Sequence, residues 1–307
     1  MADARTPLLA LDYFIVDVFT STPLAGNPLA VVFDTAGLST ERMQEIAREF
    51  NLSETTFIQR RAAEVESAEG VRVRIFTTQE ELPFAGHPTL GTASVLRLHA
   101  PETVRDNALR LALNVGPIPV RFAESAGGAP FGEMTQRDPE FGEKLEAAEV
   151  AQLIGLASGD LDAALPPQIV STGNAFAIVV LRSLDGLLRL HVDHGKATPW
   201  LRERGGRWFY VLAPDAAPAR YRARMQFYGG EDPATGSAAG CAISYLAAHG
   251  AVSSGEQILV RQGVEIARPS ELFLSAKSSA KSIEPRVTDV RVAGSTVPVA
   301  AGRLFLP

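Results

Sequence analysis

The 307-residue sequence predicts a mixed α/β (α+β) protein of two like domains about a pseudo-twofold axis, each holding a buried helix among strands. Two observations carry this expectation: an internal duplication and a matched pair of helices that are apolar nearly all round. VRVRIFTTQEELPFAGHPTLGTASVLRLHA (71–100) aligns without gaps onto YRARMQFYGGEDPATGSAAGCAISYLAAHG (221–250) at an offset of 150. The shared positions are Arg72/Arg222, Arg74/Arg224, Glu81/Glu231, Pro83/Pro233, Gly86/Gly236, Ser94/Ser244, Leu96/Leu246 and His99/His249. Upstream, AGNPLAVV (25–32) matches TGNAFAIV (172–179) at an offset of 147, sharing Gly26/Gly173 and Asn27/Asn174. An offset near half the length makes two halves, whereas a solenoid repeats every ~20–50 residues. The first domain is expected over 10–125, with a C-terminal strand at about 296–306 as a candidate to join it, and the second over 126–295. A cleft between such domains is a favoured place for a ligand.

The elements follow in order. FIVDVFT and GNPLAVVF alternate as strands. STERMQEIAREFN reads as a helix capped by Ser39 or Thr40, with Met43, Ile46, Ala47 and Phe50 on one face and Asn51 beyond its C-terminus. ETTFIQR and VRVRIFT are strands by alternation and β-branching. PTLGTASVLRL and its twin SAAGCAISYLAAHG are helices of buried character, the second stopped by Gly250. The polar, Gly/Pro-rich stretch 123–145 is read as the crossover between halves, and 286–306 as short strands split by Gly294 and Gly302.

Composition narrows the function classes. A net charge of −6 with no Lys/Arg run argues against a nucleic-acid or anionic-membrane partner. No apolar run reaches the ~18 residues of a membrane span, and LLALDYFIVDVF is broken by Asp12 and Asp17, so the cytoplasm is the expected location. The single cysteine, Cys241, excludes an intrachain disulfide. His191 and His194 lack a second ligand cluster, so no metal is expected.

The turns PFAGHP and PATGSA bring Gly86 and Gly236 to equivalent helix N-termini. Free N–H groups and a partial positive charge make such ends suited to a carboxylate or phosphate. The halves then diverge: His87 stands opposite Ser237, and Asp232 opposite Leu82. At a helix N-terminus His87 is expected to have a lowered pKa and to serve as a neutral hydrogen-bonding group, or simply to cap its helix. Asp232 reads either as a chemical carboxylate or as an ordinary cap. Glu231, twinned with Glu81, reads as a duplicated structural feature. Glu54 in NLSETTFI is either a carboxyl with raised pKa among apolar neighbours or an exposed glutamate where a strand begins. The patterns of a P-loop, a dinucleotide fingerprint and a serine-hydrolase elbow are not met.

DVFTSTPLAGNPLAVVF, NLSETTFI, RIFTTQEELPFAGHPTLGTA and GGEDPATGSAAGC, in that order, closely resemble the phenazine-biosynthesis PhzF-like isomerase family. RQGVEIARPSELFL (261–274) resembles a later family segment, departing at Ala267 where a glycine is expected. The resemblance implies a diaminopimelate epimerase-like fold, each domain a curved, mostly antiparallel sheet round a central helix, with the site between them. It implies a cofactor-independent homodimer acting on a small carboxylic acid. It puts the acid/base glutamate at Glu54, the site histidine at His87, and the site aspartate and serine at Asp232 and Ser237. The two cysteines of the epimerase cousins correspond to Ala85 and Thr235, which excludes a two-thiol racemase. The expectation is therefore an isomerase in which Glu54 moves a carbon-bound proton. Gly86, Gly236, Ser237, Ala238 and Asn27 would hold the substrate, and Glu54, His87 and Asp232 would do the chemistry. The alternatives are an epimerase, racemase or hydro-lyase on the same scaffold, or a non-catalytic ligand-binding member.

Overall fold

The computed structural model describes residues 8–123, 128–217, 219–227, 230–279 and 286–306. A pseudo-twofold repeat is visible in its strand pairing. In the first half, Asn27–Val32 runs parallel to Glu54–Gln59, and Val71–Phe76 parallel to Ala108–Leu113. In the second half, Ala175–Val180 runs parallel to Trp208–Pro214, and Arg220–Arg224 parallel to Ile258–Gln262. The other ladders of the large sheet are antiparallel. Each parallel pair needs a crossover, and in each half the second crossover is the central helix: Gly86–His99 or Gly236–Ala248.

Strands wrap both helices. Gly86–His99 packs on the strands at 9–18, 27–32, 54–59, 108–113, 116–123 and 131–135, and Gly236–Ala248 on those at 168–171, 175–180, 270–278 and 287–306. Residues 86–96 and 236–247 are buried without interruption, as expected of helices apolar on every face. Leu90, Val95 and Leu96 are wholly covered, each side chain contributing roughly 1.5–3 kcal/mol of burial. Small residues let the strands close in: a Cβ on Gly91 would stand 2.6 Å from Leu29 Cδ2. The amphipathic helix Thr40–Phe50 covers the outside of the first half with Met43, Ile46 and Ala47. Ser39 caps it by accepting from Arg42 N–H, and Asn51 ends it at φ 51°.

Two segments differ from the sequence expectation. Residues 287–306 form one long strand, Val287–Leu306, rather than pieces split at glycines. Gly294 and Gly302 serve close packing instead of turning: added Cβ atoms would meet Phe19 Cδ1 at 2.5 Å and Tyr13 Oη at 2.8 Å. This strand pairs with Ser270–Ser278 and Phe131–Thr135 through its first part and with Leu9–Val18 through its last. Residues 124–127 of the stretch 123–145 lie outside the described residues; its remainder from 128 holds the strands Phe131–Thr135 and Glu140–Lys144. In the former Gly132 occupies a buried position against Leu90, so the apolar alternation that marks a strand is hidden.

Candidate active site

The N-termini of the two central helices touch. A Cβ on Gly86 would lie 2.5 Å from Gly236 C and from Ser237 N, and one on Gly236 would lie 3.2 Å from Gly86 C. Only glycine permits this backbone approach. Two asparagines clamp the junction by a reciprocal exchange. Asn27 Nδ2 donates to Ala234 O across the axis at 2.9 Å, and Asn174 Nδ2 donates to Phe84 O at 3.0 Å. The acceptors are themselves aligned at the offset of 150, as are the bidentate pairs Arg74–Glu81 and Arg224–Glu231. Glu231 is thus a duplicated structural acid.

The Ala234 carbonyl can only accept, so it fixes which end of the Asn27 amide is nitrogen. That nitrogen also stands 2.7 Å from Asp232 Oδ1 and 3.1 Å from His87 Nδ1. Facing an N–H group, His87 Nδ1 is the acceptor, so the ring proton sits on Nε2. Nε2 lies 3.4 Å from Glu54 Oε2. Burial holds His87 far below its usual pKa, at about 3, so the ring is neutral. The direction agrees with the sequence expectation, but the cause is desolvation rather than the helix end.

Glu54 opens the strand Glu54–Gln59 just after the left-handed turn at Asn51, and its side chain is 16% exposed. Burial raises its pKa from 4.5 to about 8, with the charge of Asp232 adding to the effect. Asp232 is also raised, by burial first, against the opposing hydrogen bonds from Thr235, Asn27 and the Ala234 N–H. Its Oδ2 accepts from the Thr235 hydroxyl at 2.6 Å.

Glu54, Asp232, Ser237, Ala85 and Thr235 all line one cavity of about 450 Å³. Its lining draws on both halves. Gly86, Gly236, Ala238, His87 and Asn27 are not among the lining residues; Gly86, Gly236 and Asn27 build the junction of the helix ends. Beyond the Asp232 turn the wall is largely apolar: Phe176, Trp208, Met225, Phe227 and Leu82. Phe176 and Trp208 are ring partners at 5.9 Å. These wall residues, and Asn174 beside them, were not singled out from the sequence; the Asn27/Asn174 identity was the available signal for Asn174. Gln136 was missed as well. It donates to Gly236 O and accepts from Thr172, bracing the second helix end from below.

The helix ends are unequal as anion sites. At the third helical position the first helix has Pro88, which lacks an N–H, where the second has Ala238. Ala239 N–H makes the first intrahelical bond, to Thr235 O, so the three N–H groups at 236–238 precede the helical ladder. Among the described residues no group of three or more His, Cys, Asp or Glu side chains is gathered to hold a metal ion. Among the same residues no helix is long and apolar enough to cross a membrane.

Residues 16–302 match the family model of phenazine biosynthesis-like proteins, PhzC-PhzF. The chain belongs to this family. Among its relatives is trans-2,3-dihydro-3-hydroxyanthranilate isomerase of Pseudomonas aeruginosa, 38% identical, covering 96% of this chain and 99% of that protein. The Pseudomonas fluorescens protein of the same name is 37% identical, covering 96% of this chain and 99% of that protein. This PhzC-PhzF chain is therefore an enzyme of the isomerase class. In structure it is similar to a PhzF-family phenazine biosynthesis protein of Bacillus anthracis, with a TM-score of 0.82 at 26% identity over 97% of this chain and 100% of that one. The fold, though not the sequence, extends to a hydroxyproline epimerase from Agrobacterium vitis, with a TM-score of 0.62 at 11% identity over 97% and 93% of the two chains.

Proposed function

We propose that this PhzC-PhzF protein is a cofactor-independent isomerase that moves a carbon-bound proton on a small carboxylic acid, with Glu54 taking and returning the proton. The observation that supports this reading is the setting of Glu54. It is a cavity-lining carboxyl with a pKa raised to about 8, its Oε2 3.4 Å from Nε2 of a neutral His87, with neither atom engaged in a hydrogen bond to another group among the described residues. A carboxylate of that basicity can remove an activated C–H proton and, as the acid, give it up again. The electron pair left on the substrate spreads into its unsaturated system, and reprotonation at a second carbon completes the isomerisation without an oxidant or reductant. A small turn of either side chain would let His87 Nε2–H donate to Glu54 once the carboxylate forms. Ser237, which lines the cavity at the N-terminal end of its helix, holds the substrate carboxylate, and Asp232 orients a polar substituent.

General acid/base help is worth roughly 10²–10⁴-fold, and confinement in the cavity supplies further acceleration. Ala85 and Thr235 put no thiol at either helix end, so the proton logic rests on carboxyl groups. The first compound to assay is trans-2,3-dihydro-3-hydroxyanthranilate, the compound in the names of the relatives at 37–38% identity. With a substrate turned over by the wild type, folded Glu54→Gln protein should lose at least ~10²-fold in turnover. Full activity of that variant removes the mechanism.

A further inference from the structure

Behind Asp232 and Thr235 lie two further polar groups, Gln262 and Tyr210, that are not among the cavity-lining residues. Gln262 is completely buried at the end of the strand Ile258–Gln262. Its amide has one possible orientation. Oε1 accepts from the Thr235 backbone N–H at 3.0 Å and from the Tyr210 hydroxyl at 3.1 Å. Nε2 donates to the Asp232 backbone carbonyl at 2.7 Å and to Thr235 Oγ1 at 2.9 Å. A backbone N–H can only donate and a carbonyl can only accept, so an exchange of the amide ends would break two bonds. The Thr235 hydroxyl therefore receives a hydrogen bond from Gln262. Its own single proton is left for Asp232 Oδ2, 2.6 Å away.

We propose that Gln262 is a positioning residue of the site: by donating to the Thr235 hydroxyl it commits that hydroxyl's proton to Asp232, making Asp232, rather than Glu54, the seat of the negative charge. With this direction set, Asp232 accepts from Asn27 Nδ2 on one oxygen and from Thr235 on the other. Hydrogen bonds donated to both oxygens are stronger to the ionised carboxylate than to the acid, so they favour the charged form. Among the described residues, the other groups around Asp232 do not supply a competing proton. His87 is neutral with its hydrogen on Nε2, facing Glu54. Glu231 is held in a bidentate pair with Arg224. Burial and the Asp232 charge push the Tyr210 phenol pKa up, so it stays a donor. Among the described residues Glu54 is the acid beside Asp232 that keeps its proton, since burial and the charge of Asp232 raise its pKa. The arrangement deepens the reading of Glu54 as proton carrier and rests on it: with Asp232 charged first, Glu54 titrates at about 8, and its ionised fraction is the base that takes the proton.

The test needs no substrate, so its failure is separable from failure of the proposed activity. In protein labelled with ¹³C at Asp and Glu side-chain carboxyls, the Asp232 and Glu54 signals are assigned with Asp232→Asn and Glu54→Gln and titrated by NMR. In the wild type Asp232 should ionise first and Glu54 second. Thr235→Val removes the donor while leaving Gln262 bound to backbone. It should move the Asp232 midpoint up by about one to two pH units, the worth of one hydrogen bond to a charged group. Thr235→Ser should restore the wild-type midpoint. Gln262→Met should produce the same upward movement as Thr235→Val. An Asp232 midpoint unmoved in Thr235→Val overturns the proposal, even if Gln262→Met does not accumulate as folded protein. So does a wild type in which Glu54 ionises first, or a folded Gln262→Met whose Asp232 titrates normally.

Discussion

Replacing Glu54 by Gln should make the protein more stable at alkaline pH, and the size of the gain follows from the site. The folded state holds the Glu54 proton up to about pH 8, whereas the unfolded chain releases it near 4.5. Between those values the native state binds more protons than the unfolded one, so wild-type stability falls as pH rises through the window. At about 1.36 kcal/mol per pH unit the ceiling is about 5 kcal/mol. The 16% exposure of the side chain lets water share the charge, which brings the expected loss to the order of 2–3 kcal/mol. Glutamine is close to the protonated glutamate in size and carries no titrating group. The two proteins should therefore unfold in urea with similar free energies at pH 4.5, and the variant should be the more stable by that amount at pH 9. Other groups titrate in both proteins and cancel in the difference. A difference that is flat with pH, or that grows toward acid, would refute a buried, proton-holding Glu54.

Three further outcomes are expected. His87 has the opposite sign. Its folded pKa of about 3 lies below the ordinary 6.5, so wild-type stability should drop as pH falls from 6.5 toward 3, and denaturation curves of His87→Gln should show a shallower drop. Gly86→Ala should cost about 1–3 kcal/mol in thermal or urea unfolding and abolish turnover, because its Cβ meets backbone at 2.5 Å; Gly236→Ala, whose Cβ first meets the Phe19 ring at 3.0 Å, should cost less. Asn27→Leu should destabilise more than Asn174→Leu in the same assay, since Asn27 Nδ2 reaches Asp232, Ala234 O and His87 while Asn174 Nδ2 reaches Phe84 O.

Much of the architecture was legible because the duplication is. Identities such as Arg74/Arg224 and Glu81/Glu231 are ion pairs that each half kept, and Gly86/Gly236 marks where the two helix ends must touch. The places where the halves differ, His87 against Ser237 and Asp232 against Leu82, fall at or beside the cavity. Glycine misled in the tail: at 294 and 302 it accommodates an aromatic ring from a neighbouring strand, a tertiary reason that local pattern reads as a break. The Phe176, Trp208 and Phe227 wall and the Gln262 support were not legible. Their strands read alike on the side facing a cavity and the side facing a core, and a buried glutamine announces itself only by the partners it finds.

The proposed role of Glu54 as carrier of a carbon-bound proton is tested most directly by NMR of a turned-over substrate in D₂O. Wild-type enzyme should place deuterium at the carbons that exchange or receive the proton and at no others, while folded Glu54→Gln should place essentially none on the same timescale. Incorporation by Glu54→Gln at the wild-type rate would contradict the account.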